Sequence, residues 1–208
     1  MLEGQKCLVI GSGISGIGAV ALLEKYHADV VLYDSSDKLT KEDLEAKLPG
    51  ESKAVCIAGE LPEEVELSIQ AAVLSPGVPT DIPLVNRMRD RGVQILGEIE
   101  LGFLAEQGRV IAITGTNGKT TTTTLTGEIM KAHFGEEKTF VVGNIGNPYT
   151  LEVTKTSKDS VTVGEISSFQ LETIHTFHPV VSAILNITPD QGGLCGSQGS
   201  SGFPPDKK

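Results

Sequence analysis

Two stretches of this chain place glycines where a backbone can turn its N–H groups toward an anion: GSGISG at residues 11–16 and GTNGKT at residues 115–120. In the second, Gly115 and Gly118 allow the amides of Thr116 and Asn117 to point inward. The ammonium of Lys119 can neutralise β- and γ-phosphates, and the hydroxyl of Thr120 can ligate Mg²⁺. Thr121 and the threonines after it suit the opening turn of a helix. The pattern G-x-x-x-x-G-K-[ST] is only half met, because Ile113 stands where its first glycine belongs. A merely structural Gly-Lys turn is the alternative, but strand, loop, lysine, hydroxyl and helix follow in the order an ATP loop requires.

The first stretch is a full G-x-G-x-x-G after the apolar run CLVI, with Asp34 ending the next apolar run. Backbone amides and a helix N-terminus can hold phosphate there while an acidic side chain meets a ribose hydroxyl. Three readings stay open: NAD or FAD, glycines that only let the turn pack tightly, and a nucleotide sugar whose diphosphate uses the same helix end. Glu165, in VGEISSFQLE, is the best candidate for a carboxylate serving the second loop's metal, and is expected as an exposed residue just past a strand.

The elements that must carry these loops read as short β-branched runs alternating with amphipathic stretches, the rhythm of a parallel sheet. Strands are expected at 6–10, 29–33, 54–57, 71–74, 93–96, 109–113, 139–142, 161–163 and 180–185. Helices are expected at 15–27, 40–48, 84–91, 97–106, 119–133 and 168–174. A phosphate-type turn opens the first β-α unit of a sheet, so two such turns imply two α/β units. The expected organisation is a Rossmann-like unit at 1–96 and an incomplete phosphate-loop unit at 97–190, joined near 94–101. Residues 191–208, rich in Gly, Ser, Gln and Pro, have a linker-like, disordered composition.

With 208 residues and 39% apolar content the chain can bury a core. A net charge of −10 disfavours a nucleic-acid partner. Cys7, Cys56 and Cys195 are widely spaced, with no C-x-x-C pair, which suits a reducing compartment. The CLVI run is too short for a signal or membrane segment. A cytoplasmic, soluble protein is expected.

In order, TGTNGKTTT (114–122), GNIG (143–146), EISSFQLET (165–173) and NITPD (186–190) resemble the Mur ligases. The N-terminal loop, SPGVP (75–79) and GEIEL (97–101) agree with the branch of that family that adds D-glutamate. Its phosphate loop typically lacks the first glycine, which accounts for Ile113. The resemblance implies a monomeric cytoplasmic enzyme of peptidoglycan synthesis. It uses ATP and Mg²⁺ to join D-glutamate to UDP-N-acetylmuramoyl-L-alanine through an acyl phosphate. By motif position, residues 115–121 would bind ATP, Lys119 would hold the γ-phosphate, and Thr120 and Glu165 would serve the metal. Asn144 and the Ser167–Ser168 pair would border the reacting groups. Ile14, Ser15, Asp34, Ser35, Ser75, Pro76 and Gly77 would surround the UDP portion.

Set against the resemblance, a histidine is expected after Asp190 where Gln191 stands, and the later metal-bridging lysine and the C-terminal domain are expected to be missing from this sequence. The expectation is therefore a fragment or a frameshift just past Asp190, inactive by itself, with an unpaired sheet edge that favours association. Two other function classes remain: an NAD-dependent oxidoreductase using residues 11–16, and a non-catalytic nucleotide-binding fragment.

Overall fold

The computed structural model describes residues 2–188. The expectations for Asp190, Cys195 and residues 191–208 lie outside them. The first half of the chain alternates β1 (Lys6–Ile10), α1 (Ile14–Lys25), β2 (Asp29–Asp34), α2 (Lys41–Glu45), β3 (Val55–Ala58), α3 (Glu63–Ser68), β4 (Ala71–Leu74), α4 (Pro83–Asp90) and β5 (Gln94–Gly97). All five strands are parallel, in the order β3-β2-β1-β4-β5. The chain turns back between β1 and β4, and open parallel sheets bind ligands at such a point, outside the carboxyl ends of the strands.

The second half contains α5 (Glu98–Ala105), β6 (Arg109–Thr114), α6 (Lys119–Phe134), β7 (Thr139–Gly143), α7 (Tyr149–Glu152), β8 (Val161–Glu165), α8 (Ser168–Leu171) and β9 (Val181–Ile184). Its four strands are also parallel, ordered β7-β8-β6-β9. The expected α/β class with two parallel sheets is present. Strands buried on both faces need near-continuous apolar runs, and β4, AAVL, is buried at all four positions.

One core runs through both halves. Val9, Leu32 and Val73 of the first sheet share it with Ile99 and Leu101 of α5, Tyr149 of α7, and Val142 and Ile166 from the second sheet. Helix α7 wedges between α1 and α5 because both present glycine to it. A methyl group on Gly18 would stand 2.7 Å from Thr150 Oγ1, and one on Gly102 would stand 2.6 Å from the Tyr149 ring. Cys7 and Cys56 are free and buried. Burial, with help from Asp29, pushes the Cys7 thiol up to about 11, which makes it a core residue of low reactivity.

Several expectations need correction. Helices α3 and α7 were not anticipated. They follow Pro62 and Pro148 and last only six and four residues, too short for a hydrophobic period to register. Helix α8 ends at Leu171 rather than near 174, since the N–H groups of His175, Thr176 and Phe177 turn instead to the Glu100 carboxylate at 2.8–3.1 Å. Glu165 is not an exposed residue beyond a strand. Strand β8 includes it, and it is 1% exposed.

Among the described residues β9 pairs only with β6, and Val180, Val181 and Ile184 are exposed along it. No helix among the described residues is long and apolar enough to cross a membrane.

Candidate functional site

The second glycine loop leaves β6 and enters α6 with Gly115 at φ +145° and Gly118 at φ +83°. Lys119, the first residue of the helix, folds back so that its Nζ donates to the carbonyls of Gly115 (2.7 Å) and Thr116 (3.3 Å). The ammonium thus sits on the loop whose ligand it would neutralise. Thr120 and Thr121 are exposed in the same first turn.

The loop is braced by the segment after β9. Asn117 N–H donates to Asn186 Oδ1 and Asn186 Nδ2 donates to the Asn117 carbonyl, both at 2.9 Å. Thr116 N–H donates to the Asn186 carbonyl at 3.1 Å. Thr188 N–H donates to Thr116 Oγ1, also at 3.1 Å.

Sheet register brings Glu165 to the same end. It lies opposite Ile113 of β6 on one side and Gly143 of β7 on the other. Asn144 Nδ2 donates to Glu165 Oε1 (3.0 Å), and Asn144 N–H donates to the Glu165 carbonyl (3.0 Å). Glu165 Oε2 is buried and accepts no hydrogen bond. A buried carboxylate oxygen without a donor is costly unless a cation meets it.

Among the described residues no group of three or more His, Cys, Asp or Glu is placed to hold a metal. The buried, donorless Glu165 Oε2 is the one observation that a hydrated Mg²⁺, completed by phosphate oxygens and water, would fit.

The first loop is held differently. Ser12 donates to Asp34 Oδ2 through its N–H (3.0 Å) and its hydroxyl (2.6 Å), and Ser36 N–H donates to Oδ1 (3.1 Å). Burial works against the Asp34 charge. The bonds from Ser12 and Ser36, with Lys47 nearby, nevertheless hold its carboxyl below the ordinary aspartate value. Lys47 Nζ donates to Ser12 Oγ (2.9 Å) and to the Ser12 carbonyl (3.3 Å). From the β4 side, Ser75 Oγ donates to the Gly11 carbonyl at 3.1 Å.

A cleft of about 510 Å³ joins the two halves. Its walls include Ile14 and Ser15 of the first loop, Ser75–Gly77 after β4, and Asn144 and Gln170 from the second half. A neighbouring cavity of about 540 Å³ runs on from the first loop past Asp34 and Ser35. The residues expected around a UDP group are thus grouped together, and the same cleft reaches Asn144, which is bonded to the Glu165 carboxylate. Ser167 borders this end as the cap of α8, its hydroxyl engaged with Gln170.

Three residues of the site have no role assigned from the sequence, although Glu98 and Asn186 lie within the GEIEL and NITPD motifs. Glu98 lines the cleft and is 3% exposed, its Oε1 accepting from Thr150 N–H (2.9 Å) and Thr150 Oγ1 (3.1 Å). Burial pushes its carboxyl above the ordinary glutamate value against those bonds. The signal for it was a pair of acidic residues, Glu98 and Glu100, in the first turn of a mostly apolar helix, EIELGFLA. Lys47 carried no local signal and Asn186 none beyond the NITPD motif, since each meets its loop only through the tertiary fold.

Comparison with known proteins matches residues 5–97 to the Mur ligase MurD-like N-terminal domain and residues 113–194 to the Mur ligase middle domain. The chain is 57% identical over 189 residues to a UDP-N-acetylmuramoylalanine–D-glutamate ligase of Lachnospira eligens, covering 91% of this chain and 41% of that protein. It is 53% identical to the protein of the same name in Lachnoclostridium phytofermentans, covering 90% and 41%. It therefore spans about two-fifths of the length of these relatives. Among solved structures, a UDP-N-acetylmuramate:L-alanyl-gamma-D-glutamyl-meso-diaminopimelate ligase from Neisseria meningitides matches 93% of this chain and 64% of its own, with a TM-score of 0.55 at 15% identity. A murein peptide ligase from Psychrobacter arcticus matches 90% and 44%, with a TM-score of 0.53 at 17% identity. At such identities these two structures speak for the fold alone.

Proposed function

The chain belongs to the Mur ligase family, and from that premise we propose that it carries the UDP-substrate-binding and ATP-binding parts of a ligase that adds D-glutamate to UDP-N-acetylmuramoyl-L-alanine. The observation that carries this reading is the single cleft shared by the first glycine loop and by Asn144, the partner of Glu165. A substrate with its diphosphate at residues 11–16 could reach the phosphate-transfer site with its far end.

In this reading residues 1–96 form the uridine-nucleotide unit and 97–190 the ATP unit. Ile14, Ser15, Asp34, Ser35 and residues 75–77 surround the UDP portion, and residues 115–121 take the phosphates of ATP. The alanyl carboxylate attacks the γ-phosphorus, the bond to ADP breaks, and an acyl phosphate forms. The D-glutamate amine then attacks the acyl carbon, loses a proton, and inorganic phosphate leaves with the amide made. Mg²⁺, when bound, neutralises charge on the transferring phosphoryl group. Lys119 offsets charge on the γ-phosphate, while Asn144 and Ser168 border the reacting groups. Glu165 and Thr120 would hold the metal, and Ser167 fixes the first turn of α8.

A nicotinamide oxidoreductase would use only the first loop and leaves Lys119, Glu165 and the Asn186 brace without a role. Calorimetry decides between these readings. UDP-N-acetylmuramoyl-L-alanine is expected to bind and NAD is not; binding of NAD with no heat from the UDP compound would overturn the ligase reading.

A further inference from the structure

The charged side chains that line the cleft at the first loop are Asp34 and Glu98, both acidic. The chain as a whole carries a net charge of −10. A diphosphate carries two negative charges of its own, and backbone amides with a helix N-terminus supply only partial positive charge, about half an elementary charge. The neighbouring cavity adds Arg87, but its guanidinium is paired with Glu66 at 2.7 Å, so the loop walls offer no uncommitted full counter-charge for the ligand that the proposed function puts there.

The ammonium that reaches this loop comes from outside the cleft walls. Helix α2 starts in a capping box, with Thr40 and Asp43 satisfying each other, and is pinned by Leu44, which is fully buried. Its last turn continues through Lys47, whose N–H donates to the Leu44 carbonyl at 3.1 Å. This turn delivers the exposed Lys47 stem to Ser12. Two of the three ammonium protons are engaged there, with the Ser12 hydroxyl and carbonyl. The third is available, and the Ser12 contacts are between a cation and neutral oxygens, weaker than a bond to phosphate.

We propose that Lys47 is a substrate-binding residue of the first loop, passing its ammonium from Ser12 to the diphosphate of the uridine nucleotide when that ligand enters. Its place parallels Lys119 at the second loop, which also rests on loop carbonyls. The difference is that the first loop borrows its lysine from the next β-α unit. A purely structural Lys47 would instead pin the Ser12 backbone and support any ligand of the loop alike.

The proposal rests on the uridine-nucleotide reading above, and the test separates the two. UDP and uridine are titrated calorimetrically into the wild-type chain, Lys47→Met and Lys47→Arg, at low and at physiological ionic strength. The ammonium–phosphate bond predicts that Lys47→Met weakens UDP about tenfold, leaves uridine unchanged and flattens the salt dependence, while Lys47→Arg restores most of the loss. Unchanged UDP affinity in Lys47→Met, or equal losses for UDP and uridine, would overturn the proposal and leave the ligase reading standing. Failure of the wild-type chain to bind UDP would overturn both.

Discussion

At the first glycine loop the supporting side chains come from three elements of one sheet: Asp34 from β2, Lys47 from the turn after α2, and Ser75 from the end of β4. At the second loop the cation belongs to the loop's own helix, and the brace is largely a pair of backbone–amide bonds to Asn186, one strand away. The two share a strand–glycine–helix pattern yet differ in their supports, and in the proposed function they take different ligands. The first is packed against carbonyl and serine and borders acid, which suits a substrate gripped along its length. The second is open, cationic and beside a carboxylate oxygen with no donor, which suits a triphosphate and its metal. A glycine motif thus shows that phosphate can be held, while the neighbours decide which phosphate.

The sharpest way to break this comparison is through the glycines themselves. A methyl group on Gly16 would overlap the Gly11 carbonyl oxygen and lie 3.0 Å from Ser75 Oγ. One on Gly118 would meet nothing nearer than Leu185 Cδ1 at 3.6 Å and would suffer only its left-handed backbone. Urea unfolding should show Gly16→Ala losing about 3 kcal/mol, the upper end for an overpacked site. Gly118→Ala should lose roughly 1–2 kcal/mol. Equal losses would mean that the first loop is not the tighter one.

Next in size is Glu165→Gln. Removing the charge that meets the cation should weaken Mg²⁺-dependent ATP binding by roughly 2 kcal/mol, while UDP-N-acetylmuramoyl-L-alanine binds as before. Chelation with EDTA should reproduce that split in the unaltered chain. A smaller change is expected for Asn186→Ala, about 1 kcal/mol of stability. It should also bring faster amide exchange at Thr116 and Asn117 and leave Ser12 and Gly13 unaffected.

The smallest effects are in pH dependence, where two carboxylates of the cleft have opposite signs. The Asp34 carboxyl is lowered in the folded chain, so its contribution is present above its unfolded value and is lost as pH falls through the folded one. The Glu98 carboxyl is raised by burial, so folding favours its neutral form. Its contribution is full in acid below the unfolded value and is lost as pH rises through the folded one. Thermal melts should therefore show Asp34→Asn costing stability at neutral pH and less in acid. Glu98→Gln, which keeps an acceptor for Thr150, should gain at neutral pH and change little in acid.

Much of this molecule was legible from local pattern. The nine expected strands lie within a residue or two of where β-branched runs placed them, because such runs mark strands at the sheet centre and at exposed edges such as β9 alike. Helices α3 and α7 were missed because one or two turns leave no period to read. The buried state of Glu165 was also missed: register against Ile113 and Gly143 encloses it, and register is a property of paired strands. Lys47, Glu98 and Asn186 share that reason, since their partners lie 35, 52 and 69 residues away in sequence.

The central claim is that one cleft carries a substrate from the first loop to the metal carboxylate of the second half. Paramagnetic relaxation tests it directly. Mn²⁺, which accepts the same hard oxygen ligands as Mg²⁺, is added with ATP to the chain holding UDP-N-acetylmuramoyl-L-alanine. The shared cleft predicts strong broadening of the alanyl methyl resonance, weaker broadening at the uracil ring, and loss of both effects in Glu165→Gln. Broadening that is equal along the ligand, or that persists in Glu165→Gln, would contradict it.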